Sequence, residues 1–253
     1  MSISSMPETS DESVPPTTAD NEPFGPSWEE DETIGTLLLR STFALLAGAY
    51  LLWAQHRSGI STGAQWSQWI WLSVLCNLAI PLGILWMFFG QGVFRLDWLK
   101  DQKHNAWNYG VDFTSWKRHA TISLVLFIAL FPFLVYFSRQ EAVRSFYSSY
   151  FPATAGLGPF LLLLLSLVIY MFCWEWFFRG FLLFGMAQGF GPWVSIAVQA
   201  ALFGAAHWGK PPVEMYSSFA GGLILGVICW REKSFAPAFY THTLVHIAWV
   251  ILV

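Results

Sequence analysis

Seven apolar stretches, each about long enough to cross a lipid bilayer, dominate this chain. They run approximately over 34–54, 69–90, 120–138, 157–187, 192–208, 213–230 and 235–253. About 20 residues at a rise near 1.5 Å cross a typical hydrocarbon core. A lone span in lipid must satisfy its own backbone hydrogen bonds, which leaves helices or closed barrels. The stretches lack the polar/apolar alternation of barrel strands. The expected fold is therefore all-α, a polytopic helical membrane protein with about seven transmembrane helices. Composition agrees: 55% of residues are hydrophobic and only 11% charged, against roughly a quarter charged in soluble domains. The 15 Trp and 23 Phe suit the aromatic belts of bilayer interfaces. A lipid bilayer is thus the first expected partner. The net charge of -3 gives nucleic-acid binding no support.

Residues 1–33 are a different material. They hold nine acids and no Lys or Arg, with much Ser, Thr and Pro, and lack the basic and apolar regions of a signal peptide. They read as a disordered acidic N-terminal tail ahead of a helical membrane domain over 34–253. Cys76, Cys173 and Cys229 lie inside apolar runs without CxxC spacing and read as small buried hydrophobes. Pro81, Pro132 and Pro237 fall within the stretches, where a proline kinks a helix. Gly222 and Gly226 form a GxxxG, a close-packing signal.

Basic residues give a thin preference for topology. The second loop carries Arg95, Lys100, Lys103, Lys117 and Arg118, and the sixth carries Arg231 and Lys233. These loops share a side if all seven stretches cross. Arg57, Arg139, Arg144 and Lys210 fall on the other side. The richer side is expected to be cytoplasmic, which puts the N-terminus inside. Asp97, Trp98, Asp112 and Trp116 read as an interfacial segment without chemistry of their own.

Ionisable side chains within apolar helices are costly and concentrate where a membrane protein does chemistry. Three motifs here carry them. Glu175 and Arg179, in Trp174-Glu175-Trp176-Phe177-Phe178-Arg179-Gly180, share a helix face at four residues' spacing. They read either as a buried ion pair or as an oriented carboxylate fit for a base or a ligand. His207 follows three small residues in Phe203-Gly204-Ala205-Ala206-His207. His242 and His246 are again four apart, a spacing at which two imidazoles can meet one ion. Together His207, His242 and His246 make a candidate ligand set for a divalent metal, zinc by ligand type. Glu175 is then the base or a further ligand, and Arg179 orients it or binds a substrate carboxylate. Zinc-bound water has a pKa near 7, so hydrolysis of a peptide bond within the membrane is a coherent reaction. HExxH, GxSxG and paired aspartates on spans are missing from the sequence. Lys210-Pro211-Pro212-Val213-Glu214 carries ordinary helix-start signals, with a role for Glu214 at the site entrance as the minority reading.

At these motifs the chain resembles the CPBP family of CAAX-protease and bacteriocin-processing intramembrane metalloproteases. That family carries EExxxR, FxxxH and HxxxN on successive helices. Phe203 to His207 matches the second motif, His242 opens the third, and Glu175, Arg179 and Gly180 match the second Glu, the Arg and the following Gly of the first. The likeness covers roughly 157–250. Trp174 stands where the family has its first Glu, and His246 where it has Asn. The resemblance implies a metal-dependent endopeptidase of a bacterial inner membrane, acting on a membrane peptide or a lipidated C-terminal tail. The alternative within the family is a non-proteolytic scaffold or immunity-type binding protein, which Trp174 favours. A proton-coupled carrier using Glu175 and the histidines is a third reading, weakened by the lack of internal repeats.

Overall fold

The computed structural model describes residues 33–60, 65–88 and 109–253. Of the acidic tail only Thr33 is among them, and Arg95, Lys100, Lys103, Asp97 and Trp98 lie outside. Among the described residues there are eight helices and no strand. They are α1 (Ile34–Arg57), α2 (Trp66–Phe88), α3 (Trp116–Phe137), α4 (Glu141–Tyr150), α5 (Leu157–Phe190), α6 (Pro192–Ala205), α7 (Pro212–Glu232) and α8 (Ala236–Leu252). Five of these, α1, α2, α3, α5 and α7, are long and apolar enough to cross a membrane, and α6 and α8 are shorter apolar helices. The protein is a polytopic helical membrane protein. The seven expected stretches resolve into five of full spanning length and two shorter.

Helix ends follow local chemistry. The Thr33 side chain caps α1 by accepting from the Thr36 amide at 3.3 Å. Pro192 and Pro212 stand in the first turns of α6 and α7, where a missing N–H costs nothing. Pro237 does the same for α8. It starts that helix and does not kink it, which corrects the expectation from its position in an apolar run. Pro132 lies inside α3, which continues to Phe137. Pro81 follows a wide π-type turn over Leu75–Ala79, and such turns accommodate local disruption of the i→i−4 ladder.

The C-terminal half of α5 is the core. Every residue from Cys173 to Gln188 is buried, as befits a helix apolar on all sides. α1 packs on its C-terminal part, α2 and α8 on its N-terminal part, and α6 and α7 pack on each other. Large apolar side chains such as Leu46, Trp71, Phe133, Leu162 and Ile224 face outward, where lipid would cover them. A Cβ on Gly222 would meet Ala200 Cα of α6 at 2.9 Å, so the GxxxG is the seam between α6 and α7. The three cysteines are buried and free.

Polar contacts tie the helix ends together. Arg118 at the start of α3 pairs with Glu232 at the end of α7 at 2.7 Å. Nearby, Ser234 Oγ donates to the Asp112 carbonyl at 2.5 Å. The segments before α3 and after α7 therefore share one side. At the start of α7 is a different set: Tyr147 of α4 donates to Glu214. α4 is amphipathic, burying Val143, Tyr147 and Tyr150. It is too short and too polar to span.

Candidate active site

Glu175 lies where α5 passes from α-helix into a second wide turn, Trp176–Leu182. Such π-type turns recur at functional positions. Glu175 and Arg179 are both fully buried, with Arg179 Nη1 2.8 Å from Glu175 Oε2. The contact is an ion pair and not an aligned hydrogen bond, since Arg179 Nη1 and Glu175 Oε2 meet no hydrogen-bond criterion. The guanidinium also lies 3.9 Å from the centre of the Phe203 ring, a cation–π contact that offsets part of its desolvation. Arg179 is thus committed to Glu175 and Phe203 and is sealed from solvent.

The other carboxylate oxygen, Glu175 Oε1, lies 2.5 Å from His242 Nδ1 of α8. An ionised carboxylate only accepts, so Nδ1 carries the proton and Nε2 presents a lone pair. His207 sits in the turn between α6 and α7, past the end of α6. Gly209, at φ 90°, lets this turn reverse in a region that other residues avoid. His207 Nδ1 donates to the Phe203 carbonyl at 2.7 Å, which again leaves Nε2 free to accept. His246 Nδ1 donates to the His242 carbonyl at 3.3 Å. Its Nε2 is buried and has no hydrogen-bond partner among the described residues.

These groups meet at one cavity of about 490 Å³, lined by His207, His242 and His246 together with Trp69, Tyr150, Tyr170, Trp174 and Lys210. Its α1 wall brings Leu52, Trp53, Gln55 and His56. The walls are mostly apolar and aromatic, with a few convergent polar groups, as in small-molecule sites generally. Trp174, at the place of the resembled family's first Glu, lines this cavity. Its ring lies 5.0 Å from Phe178 and 6.1 Å from His207. An indole therefore occupies the wall where the resembled family carries its first Glu.

Glu214 stands just behind this wall. Its Oε1 is 2.6 Å from Lys210 Nζ and 4.0 Å from His207 Nε2. Burial, and then the Glu214 carboxylate itself, hold the Tyr147 phenol well above its ordinary pKa, so Tyr147 remains a donor to Glu214. The helix-start signals around Glu214 are real, and the same residue also reaches the site.

The three imidazoles are unevenly spaced. The ring centres of His207 and His242 are 6.4 Å apart, and those of His242 and His246 are 4.6 Å apart. Two imidazoles on one tetrahedral zinc, with Zn–N near 2.1 Å, put ring centres about 5 Å apart. A single water bridging two ring nitrogens at hydrogen-bond distance puts them about 6 Å apart. Among the described residues no three His, Cys, Asp or Glu side chains are gathered closely enough to hold a metal ion. Of the expected set, His242 and His246 are spaced for one ion, and His207 stands further off. The Nδ1–H donations to carboxylate and carbonyl do match the way ligating imidazoles are held, and the spacing of His207 and His242 suits a shared water.

Residues 156–248 match the family model described as type II CAAX prenyl endopeptidase Rce1-like. This stretch is similar to the Rce1-like family. It begins just before α5 and ends within α8, so it contains Glu175, Arg179, His207, His242 and His246. The match is consistent with the CPBP and CAAX protease family and supports an intramembrane endopeptidase at the family level. No curated protein and no solved structure matches the chain. Trp69 and the α1 wall lie outside this stretch, and the motifs held no signal for them. Lys210 was read as a loop cation and as part of a helix-start run, with no role at the site.

Proposed function

We propose that the protein is an intramembrane endopeptidase that hydrolyses a membrane-associated peptide or a lipidated C-terminal tail. The contact between Glu175 and His242, beside His207 in an apolar cavity, carries this reading. A carboxylate on Nδ1 fixes the tautomer of His242 and stabilises the imidazolium that forms when Nε2 takes a proton. Arg179 keeps Glu175 ionised. Water held between His207 Nε2 and His242 Nε2 attacks the peptide carbonyl carbon, and its proton passes to His242. The new C–O bond forms, the C–N bond breaks, and His242 returns the proton to the leaving amine. Glu175 then acts through His242 and is not itself the base, so this mechanism does not need a Glu at the position of Trp174. The aromatic and aliphatic walls would cover an apolar substrate and exclude bulk water.

A divalent metal is the other way to activate the water. If zinc binds, His207, His242 and His246 are the residues that would hold it, and it would supply a more acidic water. The expected setting is a bacterial inner membrane, which fractionation of the native host would check. The competing reading, a non-proteolytic scaffold, draws on Trp174.

Hydrolysis in heavy-oxygen water separates the two. Purified protein in lipid nanodiscs is expected to cleave an acylated peptide and leave one heavy oxygen in the new carboxylate, read by mass spectrometry. His242→Ala is expected to slow cleavage by about 10²–10⁴-fold without loss of folding. Binding without cleavage by the wild type, or full activity in His242→Ala, would favour the scaffold.

A further inference from the structure

Among the described residues that line the cavity, one carries a fixed charge. Of its lining residues none is Asp, Glu or Arg, four are histidines, and the remaining ionisable cation is Lys210. Lys210 lies in the same turn as His207, and its ammonium is held in two ways. It donates to Glu214 Oε1 at 2.6 Å and lies 5.5 Å from the centre of the Tyr150 ring. Its side chain is only 14% exposed. An ammonium has three donors, and Glu214 takes one of them. The other two are available to a ligand. Glu214 is absent from the cavity lining, so the pair presents its positive member to the cavity and keeps its negative member behind.

The spacing from the reacting position is bounded. Lys210 Nζ and His207 Nε2 approach the same Glu214 oxygen at 2.6 and 4.0 Å. The two nitrogens are therefore no more than about 6.6 Å apart, roughly the span of two extended residues. A carboxylate on Lys210 would lie within a few residues of a peptide bond placed at His207. Arg179, which the sequence offered for this task, is fully buried against Glu175 and Phe203 and does not line the cavity.

We propose that Lys210 is a specificity-determining residue that binds a carboxylate of the peptide substrate, held in place by Glu214 and Tyr150. The proposal rests on the peptidase reading for its substrate class, and its test reads binding separately from cleavage. The carboxylate is either the end of the peptide chain or an acidic side chain near the cleaved bond.

Three acylated peptides of the same apolar sequence distinguish these sources: one with a free C-terminal carboxylate, one with a C-terminal carboxamide, and one carboxamide with Glu near its end. Affinity for the full-length protein in nanodiscs is read by quenching of the tryptophans around the cavity. The free acid or the Glu peptide is expected to bind about tenfold more tightly than the plain amide, and whichever does so names the source. Lys210→Met is expected to remove the difference, and Lys210→Arg to keep it. Equal binding of all three peptides by the wild type, or an undiminished preference in a folded Lys210→Met, would overturn the proposal. A preference without cleavage would keep Lys210 as a carboxylate site while removing the peptidase reading. Cleavage without a preference would do the reverse.

Discussion

Glu175 and Arg179 are charged side chains with no exposed surface, so each is tolerable only with the other. Breaking a buried pair by removing one partner typically costs about 3–5 kcal/mol, because a desolvated charge is left behind. Arg179→Leu is expected to lower stability by that amount, read from the unfolding midpoint in detergent. Glu175→Gln combined with Arg179→Leu is expected to recover most of it, since Gln leaves no charge and can still accept from His242. Losses that simply add would show that the two side chains are not coupled. At this scale the sequence was informative about identity and less so about role. The spacing of four put Glu175 and Arg179 together. It could not say that the second carboxylate oxygen is spent on His242, because that partner comes from a helix 67 residues away.

Helices α6 and α7 set the position of His207, because the turn that carries it joins them. Their seam depends on small residues: a Cβ at Gly222 would approach Ala200 Cα to 2.9 Å, and one at Gly226 would approach Gln199 Nε2 to 2.5 Å. Gly222→Val is expected to push the helices apart at a cost of about 1–3 kcal/mol, and to weaken cleavage by moving His207. A melt and an activity assay on the same preparation check both parts, and an unchanged melt would contradict the seam. The apolar runs foretold α1, α2, α3, α5, α6, α7 and α8 to within a few residues, since length and hydropathy alone decide which segments lipid accepts. α4 went unseen for the same reason. It is short and amphipathic, and it earns its place by packing Tyr147 against Trp249 at 5.0 Å and by reaching Glu214. The wide turns in α2 and α5 have no period of their own in the sequence, so they too were invisible there.

At the scale of the whole molecule, one cavity collects side chains from α5, from the turn after α6 and from α8, and closes them with an α1 and α2 wall. The motif order anticipated the three contributors, but their spacing followed only from packing. The rings of His207 and His242 stand 6.4 Å apart, and the proposed mechanism has this pair share a water. In the proposed mechanism this pair works as one unit. Groups that act as a unit lose activity non-additively: removing one costs nearly as much as removing both. The most direct test compares the rate of peptide cleavage by His207→Ala, by His242→Ala and by the double variant, all in nanodiscs. The account predicts a double variant within about threefold of the slower single one, whereas a double loss equal to the product of the single losses would contradict it.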